Sequence, residues 1–117
     1  MESTQFYLRL KHLIHSLDEK EELAELDLVS LRMLEILTLQ HIENKPMTVT
    51  EVMALQTLGS PATLHRKLDG LRDAGYVESL SLPNDKRTKY LKPCAKAMKH
   101  FSALSDLVAH SLQTAGR

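Results

Sequence analysis

Aromatic side chains are scarce: 4% of the 117 residues, with three Tyr, two Phe and no Trp. A surface that stacks splayed bases, as many single-strand RNA binders do, therefore has little to work with. The one cysteine, Cys94, excludes an internal disulfide framework and any cysteine-rich zinc site. It fits a reducing compartment and reads as a small buried thiol. No stretch approaches the roughly 20 apolar residues of a membrane-spanning helix. The opening MESTQFYLRLKH lacks the charged start and long apolar run of a secretion signal, so a cytoplasmic protein with no membrane partner is expected. Gly-rich phosphate loops, a serine elbow and carboxylate pairs at acid-base spacing are all missing, so neither an enzyme nor a cofactor is expected. His12 and His15 lie three apart, but no neighbouring Cys or Glu cluster completes four ligands. They read as surface histidines and no metal is expected.

What is present is ordinary for a globular chain, 43% hydrophobic and 26% charged, and the length suits one domain over residues 1–117. Formal net charge is zero, yet the sum hides a split. Residues 1–62 carry five Lys+Arg against ten Asp+Glu, and residues 63–117 carry ten against five. One face aimed at a polyanion, with acidic surface turned away, would produce that pattern.

The chain is organised around Ser60 to Gly75, SPATLHRKLDGLRDAG. Ser60 can cap a helix whose first position suits Pro61, and Gly75 can end it. Leu64, Leu68 and Leu71 recur at helical spacing and define the buried stripe. Upstream, Thr48 and Glu51 form a capping-box pattern, which predicts a shorter helix from Thr48 to Leu58 with Val52 and Leu55 facing inward. Two short helices joined at Gly59 make a helix-turn-helix, whose second helix is the one available to a DNA major groove.

Elsewhere, Phe6, Leu10, Leu13, Ile14 and Leu17 predict a helix from about Thr4 to Glu22. Asp27 fits as the N-cap of the next helix, whose apolar surface comes from Leu31, Leu34, Ile36, Leu37 and Ile42 and which ends before Pro46. Met47 to Val49 reads as a very short strand. After Gly75 the period turns to alternation: Tyr76 to Leu82 as a strand, Pro83 to Arg87 as a turn, Thr88 to Leu91 as the returning strand. Past Pro93 the spacing of Met98, Phe101, Leu104, Leu107, Val108 and Leu112 is helical again, over Cys94 to Thr114. The expected fold is mainly α with a small β-hairpin: a winged helix-turn-helix over 27–92, between a long helix in 1–26 and another in 93–117. Each end helix has a broad apolar stripe that one small domain does not fully cover. Phe6, Leu10, Leu13, Leu17, Phe101, Leu104, Val108 and Leu112 are therefore expected to form a homodimer interface.

These residues resemble the MarR-type winged-helix transcriptional regulators of bacteria over about Leu28 to Lys92. MTVTEVMALQTLGSPATLHRKLDGL carries the resemblance for the helix-turn-helix, DAGYVE for the start of the wing and PNDKRTKYL for the wing itself. The resemblance implies that Arg87 reaches a minor groove with Asp85 helping to hold it. It also implies a small-molecule effector lodged between the end helices and the winged domain. From the residues themselves, Ala62, Thr63, His65 and Arg66 are the groove candidates, Arg66 as a bidentate partner for guanine and Ala62 or Thr63 as thymine-methyl contacts. Ser60 and Thr50 are phosphate candidates at helix starts. In the wing, Lys86, Arg87 and Lys89 with Asp85 form a basic finger.

The expectation is a sequence-specific binder of double-stranded DNA, a transcriptional regulator of the repressor kind acting as a homodimer on a pseudo-palindromic operator. Two rivals stand beside it: a winged helix used as a protein-interaction module, and a nonspecific architectural or replication-associated DNA binder.

Overall fold

Cap, stripe and stop signals each set the bounds of an element in the computed structural model, which describes residues 3–18 and 26–115. The order is α1 (Ser3–Asp18), α2 (Leu28–Ile42), β1 (Met47–Thr48), α3 (Val49–Met53), α4 (Pro61–Asp73), β2 (Val77–Leu82), β3 (Asp85–Pro93) and α5 (Ala95–Ala115). Contacts divide the chain into two compact units, Leu26–Met98 and Met1–Glu25 with Lys99–Arg117. No helix of the described residues is long and apolar enough to cross a membrane.

In the first unit, Asp27 caps α2 by accepting from the Ser30 amide. α2 stops at a left-handed Asn44, where Lys45 N–H donates to Gln40 and Asn44 N–H to His41. Those two bonds satisfy carbonyls that the helix end would leave open. α4 closes the same way: Gly75 sits at φ 81°, Tyr76 N–H donates to the Leu71 carbonyl and Gly75 N–H to that of Arg72. Thr48 and Glu51 form the expected capping box.

The core of this unit is Met33, Leu34 and Leu37 from α2, Val52 from α3, Leu64, Leu68 and Leu71 from α4, with Tyr76, Val77, Leu91 and Ala97. Full burial of the Leu, Met and Val side chains among them contributes about 1.5–3 kcal/mol each. Two further contacts close the corner between α4 and α5. Cys94 N–H donates to the Tyr76 carbonyl at 2.7 Å, and the Lys96 ammonium lies 4.2 Å from the centre of the Tyr76 ring.

Several expectations need correction. The helix expected over Thr48 to Leu58 ends at Met53. Beyond it the amides of Leu55 and Leu58 bond three residues back, to Val52 and Leu55, so the chain winds in tight turns and Leu55 is only half-buried. The five-residue hairpin turn shrinks to Pro83-Asn84, because β3 already begins at Asp85, paired with Leu82. The hairpin is also part of a three-stranded antiparallel sheet, ordered β1-β3-β2. In α2, Met33 is fully buried whereas Ile42 is 56% exposed. The expected first helix extends past Asp18 into residues outside the described set.

The second unit is described by itself. On α1, Phe6, Leu10 and Ile14 are half-buried and Leu13 is exposed, while the side chain of Leu17 lies outside the described residues. On α5, Phe101, Leu104 and Val108 line a shallow apolar depression that Leu112, 59% exposed, continues.

An ion pair links two helices of the first unit: Lys67 Nζ on α4 lies 2.7 Å from Asp27 Oδ2. The Lys67 ammonium, then the Ser30 amide, bring the Asp27 carboxyl down to about 2. The Asp27 side chain is 48% exposed, so water screens the pair, and cap and pair together contribute about 1–2 kcal/mol. Because the carboxyl is depressed in the folded state, this stabilisation is fully present above pH ~4 and is lost as pH falls toward 2. Urea unfolding at pH 7 should place Asp27→Ala about 1–2 kcal/mol below wild type. The gap should shrink at pH 2.5, and an equal gap at both pH values would contradict the assignment.

Candidate nucleic-acid interface

The buried stripe of α4 decides what its other side offers. With Leu64, Leu68 and Leu71 inward, Ala62, His65 and Arg66 are exposed and Thr63 is half-buried on the flank. Ser60 caps the helix by accepting from the Thr63 amide at 3.3 Å, and its hydroxyl donates to Thr63 Oγ1 at 3.1 Å. Those bonds commit the Thr63 hydroxyl to the cap, while the Arg66 side chain makes no hydrogen bond or ion pair among the described residues. Thr50 is exposed in the first turn of α3.

The wing departs from a plain hairpin. Leu80 pairs with Tyr90 and Leu82 with Asp85, so one residue of β2, Ser81, faces the four residues 86–89 of β3. An excess of this kind bends a strand and pushes the unpaired residues outward. Lys86, Arg87 and Lys89 are accordingly exposed. Asp85 fastens the bulge: its Oδ1 accepts the amides of Arg87 and Thr88, both at 3.1 Å. The Thr88 hydroxyl, then the Thr88 and Arg87 amides, hold the Asp85 carboxyl below its ordinary range. Asp85 thus meets Arg87 through the backbone. Lys89 Nζ donates across the ladder to Ser81 Oγ at 2.9 Å.

Three solved structures resemble this one. One is Staphylococcus aureus MepR bound to ethidium bromide, TM-score 0.68 at 16% identity, over 97% of this chain and 80% of that one. Another is a MarR-like transcriptional regulator from Thermotoga maritima, TM-score 0.64 at 18% identity, over 98% and 81%. The third is an S. aureus MepR–DNA complex, TM-score 0.63 at 16% identity, over 97% and 90%. The chain has the MarR-type winged-helix fold. In sequence no family model matches it, and no curated protein does.

Within that MarR-type fold the groove candidates come together on one exposed side of α4, and the wing candidates on one bulge of β3. The end-helix candidates lie in the other unit, on α1 and α5. Sequence reasoning missed two features. Lys67, one residue from Arg66, is turned to Asp27 rather than outward, and a lysine inside the run HRK gave no sign of that. The bulge opposite Ser81 was hidden because register is a property of two strands at once.

Two further side chains are settled by their surroundings. Cys94 is half-buried, and burial, then the Glu78 carboxylate, pushes its thiol up, away from the thiolate that reactive cysteines expose. Lys92 pairs with Glu78 at 3.1 Å on facing strands.

If Asp85 holds the bulge, Asp85→Ala should accelerate hydrogen exchange at the Arg87 and Thr88 amides while leaving the α4 amides as protected as before. Unchanged exchange at those two amides would show that the bulge stands without the carboxylate.

Proposed function

We propose that this protein is a sequence-specific double-stranded DNA-binding transcriptional regulator, of the repressor kind, that acts in the bacterial cytoplasm as a homodimer on a pseudo-palindromic operator. One observation carries the reading: the exposed side of α4 holds an Arg66 that has no side-chain partner among the described residues, and the same unit carries a wing whose bulge presents Lys86, Arg87 and Lys89. A helix with small and basic residues toward solvent fits a major groove, and a basic hairpin tip fits phosphates or a minor groove. The likeness to MepR, crystallised with DNA, supports the reading.

In this mechanism Arg66 reads a base edge, and Ala62 with the Thr63 methyl meets thymine methyls. His65 lies beside them. Ser60 and Thr50 contact phosphate, and the wing adds electrostatic grip. Those are binding roles, and no chemical step is assigned to the protein. The apolar residues of α1 and α5 named above supply the dimer contact. A small-molecule effector is part of the proposal, supported by the likeness to MepR bound to ethidium bromide.

Selection of bound sequences from a random duplex pool at moderate salt tests the reading, and an inverted repeat is the expected outcome. On the selected duplex, Arg66→Ala should cost about 1–3 kcal/mol and relax preference at one base position. Arg87→Ala should weaken all sequences alike and reduce the salt slope by about 1. Fluorescence anisotropy over a salt series reads both effects, and isotherms unchanged in both variants would refute the assignment. Light scattering should give the mass of two chains. Retention without a motif would favour a nonspecific binder, and no retention at low salt would favour a protein-interaction module.

A further inference from the structure

The run His65-Arg66-Lys67 puts two fixed cations side by side on α4, but the fold treats them oppositely. Arg66 is exposed and has no partner among the described residues, whereas the Lys67 ammonium is held 2.7 Å from Asp27 Oδ2, forty residues earlier in the chain. The Lys67 side chain is only 25% exposed. Asp27 is itself fixed, because its other oxygen accepts from the Ser30 amide at 2.8 Å to cap α2. A carboxylate locked in a cap cannot follow the lysine outward, so the lysine stays with it. Lys67 also follows Thr63 by one helical turn on the flank of the exposed side, where a free ammonium would come to the rim of a groove.

We infer that Asp27 is a positioning residue that tunes affinity for DNA: it withholds the Lys67 ammonium from phosphates and leaves Arg66 as the base-reading cation of the helix. The inference rests on the DNA-binding reading above and adds to it. A phosphate contact strengthens binding to every sequence alike, and a base contact strengthens binding to one. Sequestering Lys67 lowers the first without touching the second. Because the withheld contact is common to all sequences, specific and random affinities fall by the same factor, and the salt sensitivity of binding falls with them.

The test uses Asp27→Asn, which keeps an N-cap acceptor for Ser30 but removes the charge that holds Lys67. The probes are a random-sequence duplex and the duplex selected by the wild type, each titrated over a salt series. The variant should bind the random duplex about three- to tenfold more tightly, with a salt slope steeper by about 0.9, the value of one added phosphate contact. The selected duplex should gain by the same factor, because the added contact is to phosphate. Adding Lys67→Met to Asp27→Asn should return the slope to the wild-type value, a reversal that mere destabilisation of α4 would not give. Thermal unfolding of each variant confirms that the compared proteins are folded. A folded Asp27→Asn with an unchanged slope, or a steeper slope that persists in the double variant, overturns the inference while leaving the DNA-binding reading intact. Failure of the wild type to bind either duplex at low salt would overturn both.

Discussion

Burial of Leu64, Leu68 and Leu71 is the constraint on which the site depends. At about 1.5–3 kcal/mol for each buried side chain, rolling α4 by one residue position would expose more stabilisation than the surface contacts of the helix could replace. The roll is therefore fixed by apolar burial before any ligand arrives, and Ala62 and Arg66 face outward as its geometric consequence. The ends of the helix are fixed separately. Ser60 sets the first turn, and the left-handed Gly75 sets the last by giving the chain a turn that an L side chain resists. From that corner the backbone runs straight into β2, so the direction of the wing follows from the end of the helix. Tyr76 closes the corner by burying its ring under the Lys96 ammonium.

The wing depends on a different economy. A regular two-stranded ladder would pair Lys86 to Lys89 residue for residue and hold their backbone close to β2. The surplus of residues opposite Ser81 breaks that ladder. It leaves amides at Arg87 and Thr88 without strand partners, and the Asp85 carboxylate accepts both. Buried or bent backbone is tolerated where such groups find an acceptor. An acidic residue at the base of a basic finger is thus a structural need of the finger rather than a dilution of its charge.

Much of this was legible in the sequence, because the strongest signals there are local. The caps at Asp27, Thr48 and Ser60, the leucine stripe of α4 and the stop at Gly75 each depend on residues within one or two turns, and each appears where its spacing places it. α2 was harder to read, since apolar residues surround it almost completely and no single stripe stands out. Nothing in the spacing marks Met33 as core, and Ile42, which the spacing offers as apolar packing surface, is exposed. The short α3 was overextended because Leu55 continues the helical period although the backbone has already tightened into turns. The bulge and the Asp27–Lys67 pair lay beyond sequence reading for a shared reason: each joins residues whose separation is decided by the fold.

That pair also bears on how a chain of zero net charge can present a basic face. Within the described residues Lys67 is matched by Asp27, Arg72 by Asp69, Lys92 by Glu78 and Arg32 by Glu35. Arg66, Lys86 and Arg87 are matched by no carboxylate among those residues. Exposed pairs contribute little to stability, so their larger effect is on the field: each cancels one cation and one anion locally, and the field beyond is set by where the unmatched charges of either sign lie. Over a Debye length of about 8 Å at physiological salt, a polyanion approaching this unit meets the unmatched cations of α4 and the wing more strongly than the formal total suggests. Net charge is a sum over the surface, whereas the field at a groove-sized distance is set by which charges have been paired away.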